Sequence, residues 1–144
     1  MAYTLVPFTQ DYLEPAVELC IESYKNEQEH SPLLPARVID EPTWIRGALQ
    51  SKLANPGVVV VAQDRVLAYM VTGDQFEWKG QQAAIVPEYG HSAVMAQKRE
   101  LYQRMYMALA QEWANQHIHL HLIRHFAHDT TLQETLYQLG FGAI

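Results

Sequence analysis

Asp129-Thr130-Thr131-Leu132-Gln133-Glu134-Thr135-Leu136-Tyr137-Gln138-Leu139-Gly140-Phe141-Gly142 reads as a short helix marked at both ends. Asp129 offers a side-chain oxygen to the free amides of a first turn, and Gly140 tolerates the left-handed turn that follows a last one. Phe141 to Ile144 then reads as the start of one more strand. Before this helix, Ile118 to Phe126 reads as a strand. A long helix from about Gln97 to Gln116 carries Leu101, Met105, Leu109 and Trp113 on one side.

Upstream the pattern changes. Val58 to Ala62 is an unbroken apolar run, as expected of a central strand covered on both faces. Gln63-Asp64-Arg65 reverses the chain, and Val66 to Thr72 returns it. A polar turn around Gly73 and Asp74 follows, and a fourth strand runs from Gln82 to Val86 until Pro87-Glu88-Tyr89-Gly90 ends it. His91 to Ala96 reads as a loop.

At the other end, Tyr3 to Phe8 reads as a strand. Asp11 caps a helix whose buried face is Leu13, Ala16, Val17, Cys20, Ile21 and Tyr24. Ser31-Pro32-Leu33-Leu34-Pro35 is a partly apolar loop, and Pro42 starts a second helix that Asn55-Pro56-Gly57 stops. Three meandering strands followed by alternating helices and strands predict an α/β (α+β) domain. Its sheet would be mixed and mainly antiparallel, with helices on both faces.

Composition agrees with one globular domain over residues 1–144. Of these residues 49% are apolar and 18% charged. Sixteen acidic against ten basic side chains, net −6, argue against nucleic acid as a partner. No apolar run approaches the roughly 20 residues a membrane helix needs. A single cysteine, Cys20, allows no internal disulfide and fits a cytoplasmic setting.

The order of elements, the Leu139-Gly140-Phe141 ending and Val86-Pro87-Glu88-Tyr89-Gly90 before the long helix together resemble the GNAT superfamily of N-acetyltransferases. Pro32-Leu33-Leu34-Pro35, Gly90-His91 and Ala127-His128-Asp129 are further similar to the N-terminal half of tandem-GNAT proteins, whose second half usually carries the working cofactor site. The resemblance implies acetyl-CoA as co-substrate, with its pyrophosphate on the amides at the start of the long helix. Val86, Gly90, His91, Ser92, Ala93, Lys98, Arg99 and Asp129 are the candidate cofactor-binding residues. The family's cation before the first glycine is missing here, and Ser92 stands where a second glycine is usual.

The resemblance also implies a general base and a proton donor. Glu77 and Glu88 flank the fourth strand as candidate bases. Tyr137 lies one position past the family's usual tyrosine, about 100° around the helix, so packing or exposure competes with catalysis there. The acceptor would be a small-molecule or peptide amine. A GNAT sheet normally closes with further strands after the Leu-Gly-Phe. The domain is therefore expected to be incomplete at its C-terminus, with the open edge covered in a homodimer or by a missing domain.

Other constellations give way to blander readings. His117, His119, His121 and His125 alternate along the fifth strand, but side chains on one strand face run parallel, so no metal site is expected. Ser92, His128 and Asp129 lack the Gly-x-Ser-x-Gly turn of a hydrolase. Cys20 sits on an apolar helix face and reads as core. Phe76 and Trp78, in a polar turn region, are candidates for a pocket or an interface. Two functions stay open: an acyl-CoA-dependent N-acetyltransferase, and a non-catalytic GNAT-fold module supporting a partner domain or subunit.

Overall fold

The computed structural model describes residues 2–144. In chain order the elements are β1 (Thr4–Pro7), a 3₁₀ turn (Gln10–Tyr12), α1 (Leu13–His30), α2 (Arg37–Asp40), α3 (Thr43–Gln50), β2 (Gly57–Ala62), β3 (Arg65–Val71), β4 (Gln75–Trp78), β5 (Gln81–Val86), β6 (His91–Ala93), α4 (Lys98–Asn115), β7 (Leu120–Ile123) and α5 (Thr130–Gln138). The strands form two ladders, β1-β2-β3-β6 and β4-β5-β7. All pairings are antiparallel except β5 with β7. The mixed, mainly antiparallel sheet with helices on both faces is the one expected.

β2 and β3 show why the fold forms. Val58, Val60, Ala62, Ala68 and Met70 point to one face, under α4 and α5. Val59, Tyr69 and Val71 point to the other, under α1 and α3. Every second residue serves the opposite core, so both faces must be apolar. On the α4 side, buried Trp113 donates its indole N–H to the buried Thr72 hydroxyl at 2.9 Å.

The region read as a polar turn is built differently. β4 pairs with β5 as a hairpin, so Phe76 and Trp78 are strand residues. The expected loop at His91 to Ala96 begins instead with strand β6, paired with β3. β3–β4 and β5–β6 are thus two arms of one long hairpin, joined in the middle by Gly73 N–H to Ile85 O at 2.8 Å and Val71 N–H to Gly90 O at 2.8 Å. Met70 faces His91 and Gln75 faces Ala84, so the second arm holds two more residues than the first between these pairs. The surplus bulges out at Pro87–Gly90.

Local chemistry sets the bulge there. Pro87 brings no N–H to the ladder, and Gly90 N–H closes a tight turn onto the Pro87 carbonyl at 2.9 Å. A Cβ on Gly73 or on Gly90 would lie 2.8 Å from Cδ of Pro87, so only glycines can flank that ring.

Two further expectations are corrected. The strand read over Ile118 to Phe126 covers only Leu120–Ile123. His117, at φ +61°, turns the chain out of α4, and Ile118 N–H returns to Trp113 O at 2.8 Å before the strand can start. Phe141 to Ile144 forms no strand: Phe141 packs on Tyr106 with ring centroids 4.9 Å apart, and Ile144 is exposed.

Candidate functional site

The bulge opens a fork. β5 and β7 run parallel through Val86 and Ile123, ending with Arg124 N–H on Val86 O at 2.9 Å. Beyond that point β6 follows β3 and leaves the chain after Arg124. In a continuing parallel ladder the Arg124 carbonyl would accept the N–H of Glu88. Here it accepts from a side chain: Nε2 of His91 lies 2.6 Å from it. A carbonyl only accepts, so Nε2 carries the proton, and Nδ1 accepts from the Tyr102 hydroxyl of α4 at 2.7 Å. The imidazole is buried inside the fork, and burial pushes it down to about 4 against an ordinary 6.5. It is therefore neutral at physiological pH.

Neighbouring residues of β6 serve packing. Ala93 belongs to the core beneath α4. Ser92 faces the other way, donating to the Leu19 carbonyl of α1 at 3.0 Å and pairing with the Ser23 hydroxyl.

The start of α4 lies four residues beyond β6, through Val94, Met95, Ala96 and Gln97, with Gln97 in the left-handed region at φ +65°. Gly90 is separated from this helix by the whole of β6. The residues expected to form one anion-binding loop are therefore split, with Gly90 in the bulge, His91, Ser92 and Ala93 in a strand, and Lys98 and Arg99 on the helix. No glycine lies between Ala93 and Lys98 to let a pyrophosphate approach the backbone. Both cations are engaged. Lys98 Nζ lies 2.6 Å from the Asp129 carboxylate in a mostly buried pair, and Arg99 pairs with Glu134. Asp129 also accepts from Leu132 N–H at 3.1 Å and so caps α5, as its sequence position predicts.

The candidate acid and bases do not converge. Glu77 is exposed beside the tip of the β4–β5 hairpin. Tyr137 is exposed on α5, where its hydroxyl accepts from Gln133 at 2.8 Å. Only Glu88 stands at the fork, exposed in the bulge. It lines an open cavity of about 170 Å³ with Lys52, Asp74, Pro87, Tyr89 and Arg124. Lys52, Asp74 and Arg124 escaped sequence reading. No local signal marked Arg124: the sequence reading puts it inside a strand, whereas β7 stops one residue before it.

The histidine series does not share a strand face. Only His121 lies within β7, with Nε2–H on the Ile118 carbonyl at 3.0 Å and Nδ1 accepting from Tyr106 at 2.8 Å. Among the described residues no group of three His, Cys, Asp or Glu side chains is placed to hold a metal. No helix among them is long and apolar enough to cross a membrane.

An imidazole fills the space between the arms, and the cations of α4 are already paired.

No protein-family model matches the sequence, and no curated protein matches it. Solved structures do match its shape. A predicted acetyltransferase with acetyl-CoA from Clostridium acetobutylicum superposes with TM-score 0.77 over 99% of this chain and 92% of its own, at 11% identity. A GCN5-related N-acetyltransferase from Ralstonia eutropha JMP134 does so with TM-score 0.76 over 99% and 94%, at 15% identity. The aminoglycoside N-acetyltransferase AAC(6')-Iy in complex with CoA gives TM-score 0.67 over 99% and 89%, at 11% identity. The chain has the GNAT acetyltransferase fold, as its sequence order and Leu-Gly-Phe ending led us to expect.

Proposed function

We propose that this chain is a GNAT-fold module that does not itself turn over acyl-CoA, and that it supports a partner domain or a second subunit. One observation carries the reading: the His91 imidazole spans the fork to the Arg124 carbonyl and is held from behind by Tyr102. Opening that fork would leave a buried hydroxyl and a carbonyl unpaired, each costing about 1–3 kcal/mol. The paired state of Lys98 and Arg99 supports the same reading, since a pyrophosphate would have to displace two carboxylates. β7 is an outer strand of its ladder with no further strand paired to it among the described residues, and that edge suits a partner strand.

A second reading is favoured by likeness to structures solved with acetyl-CoA or CoA. In it the chain transfers an acetyl group from acetyl-CoA to a small-molecule or peptide amine by direct attack. Glu88 is then the carboxylate best placed to take the proton, because it alone of the candidates stands at the fork. Fold by itself does not choose between these readings, because activity resides in the site.

Calorimetric titration with acetyl-CoA, followed by thermal unfolding with the same ligand, separates them. A ligand held at about 10 μM and supplied at about 1 mM would stabilise the fold by about 2.7 kcal/mol. We expect no saturable heat and no thermal shift. Saturable binding, weakened by Lys98→Glu, would overturn the proposal in favour of acetyl transfer.

A further inference from the structure

We infer that the cavity at the outer side of the fork is a binding site for a small zwitterion, an α-amino acid or a compound with the same paired charges. Four charged residues line it: Lys52 from the segment after α3, Asp74 before β4, Glu88 in the bulge and Arg124 after β7. Lys52 and Asp74 neutralise each other at 3.6 Å. Among the described residues no ion pair engages Glu88 or Arg124. These two belong to different walls, one in the bulge and one just after β7.

That arrangement selects a charge pattern. A simple anion would satisfy Arg124 and sit against Glu88, and a simple cation would do the reverse. A molecule carrying a carboxylate and an ammonium a few bonds apart satisfies both: the carboxylate takes the forked guanidinium donors and the ammonium takes Glu88. About 170 Å³ is well below the 300–1,000 Å³ of pockets for drug-sized ligands, so the ligand is small. Pro87 and Tyr89 add apolar wall for a short side chain. Tyr89 is held in place by Trp44, edge to face at 5.9 Å, and its carbonyl accepts from the Tyr69 hydroxyl at 2.7 Å.

The walls are also pre-organised. The Arg124 backbone is fixed on both sides, by Val86 O and by the His91 ring, and Gly73 and Gly90 clamp Pro87. Binding here requires neither acyl-CoA nor a partner, so its test is read separately from the reading proposed above.

The test screens α-amino acids without acetyl-CoA by thermal shift, then ranks them by ligand-observed NMR. The N-acetyl derivative and the carboxamide of the best binder serve as single-charge controls. We expect at least one amino acid to bind, with both derivatives weaker by about tenfold or more. Glu88→Gln and Arg124→Gln should each weaken it similarly while leaving the circular dichroism spectrum unchanged. No binding by any amino acid at millimolar concentration overturns the inference. So does binding that both derivatives, or both variants, retain in full.

Discussion

Nε2 of His91 donates to the carbonyl of Arg124 at 2.6 Å, and this bond takes the place of a main-chain bond where β5 and β7 part. A side chain thus completes the sheet at the point where its backbone ladder stops. The same ring receives the Tyr102 hydroxyl, so strand, fork and helix α4 meet on one imidazole.

Stability should therefore depend on pH through His91. Above 6.5 the ring is neutral in both folded and unfolded chains. Between 6.5 and about 4 the unfolded chain binds a proton that the buried ring refuses, so stability falls as pH falls through that window. The gap corresponds to about 3 kcal/mol. Urea unfolding of wild type and His91→Gln across this range isolates the effect, since His121, also held down by burial, titrates in both. Equal losses in the two proteins would refute the assignment.

Gly90→Ala should destabilise the fold by about 1–3 kcal/mol, because its Cβ would lie 2.8 Å from a proline ring that cannot swing away. Thermal unfolding reads the loss directly. A neutral Gly90→Ala would mean that the bulge relaxes freely and that the glycine is not there for packing.

Asp129 performs two separable jobs. Asp129→Ala removes the α5 cap and strands half of the Lys98 pair, for a loss of about 1–3 kcal/mol. Asp129→Asn keeps a capping oxygen and should lose less. Denaturant midpoints of the two variants give the split, and identical losses would assign the whole effect to the ion pair.

Cys20 should be inert in the folded protein. Burial pushes its thiol up to about 11, so almost no thiolate is present near neutral pH. A colorimetric disulfide reagent should react slowly in buffer and rapidly in denaturant. Fast labelling under native conditions would show that the α1 face opens.

How much of this was legible beforehand depended on how local the signal is. The helix from about Gln97 to Gln116 matches α4 within a residue at each end, because its apolar spacing is a property of the helix alone. The both-faced burial of Val58 to Ala62 was likewise written in an unbroken apolar run. β4 was missed because Gln75-Phe76-Glu77-Trp78 is polar on one side and acquires its strand character by pairing with β5. β6 was missed because three residues after a glycine look like a loop until β3 is beside them.

The candidate site divides the same way. The sequence alone determined α4, α5 and the central strand β2, the Asp129 cap, the glycine after α5 and the likeness to the acetyltransferase fold, since each follows from neighbours along the chain. Only the tertiary structure decided that His91 belongs inside the fork, that Lys98 and Arg99 are committed to Asp129 and Glu134, and that Glu88 and Arg124 share a cavity. The partners in these contacts lie 31 to 36 residues apart in the chain. Spacing along the sequence cannot encode such pairs; they arise when a two-residue bulge and a parted ladder bring distant backbone and side chains to one point.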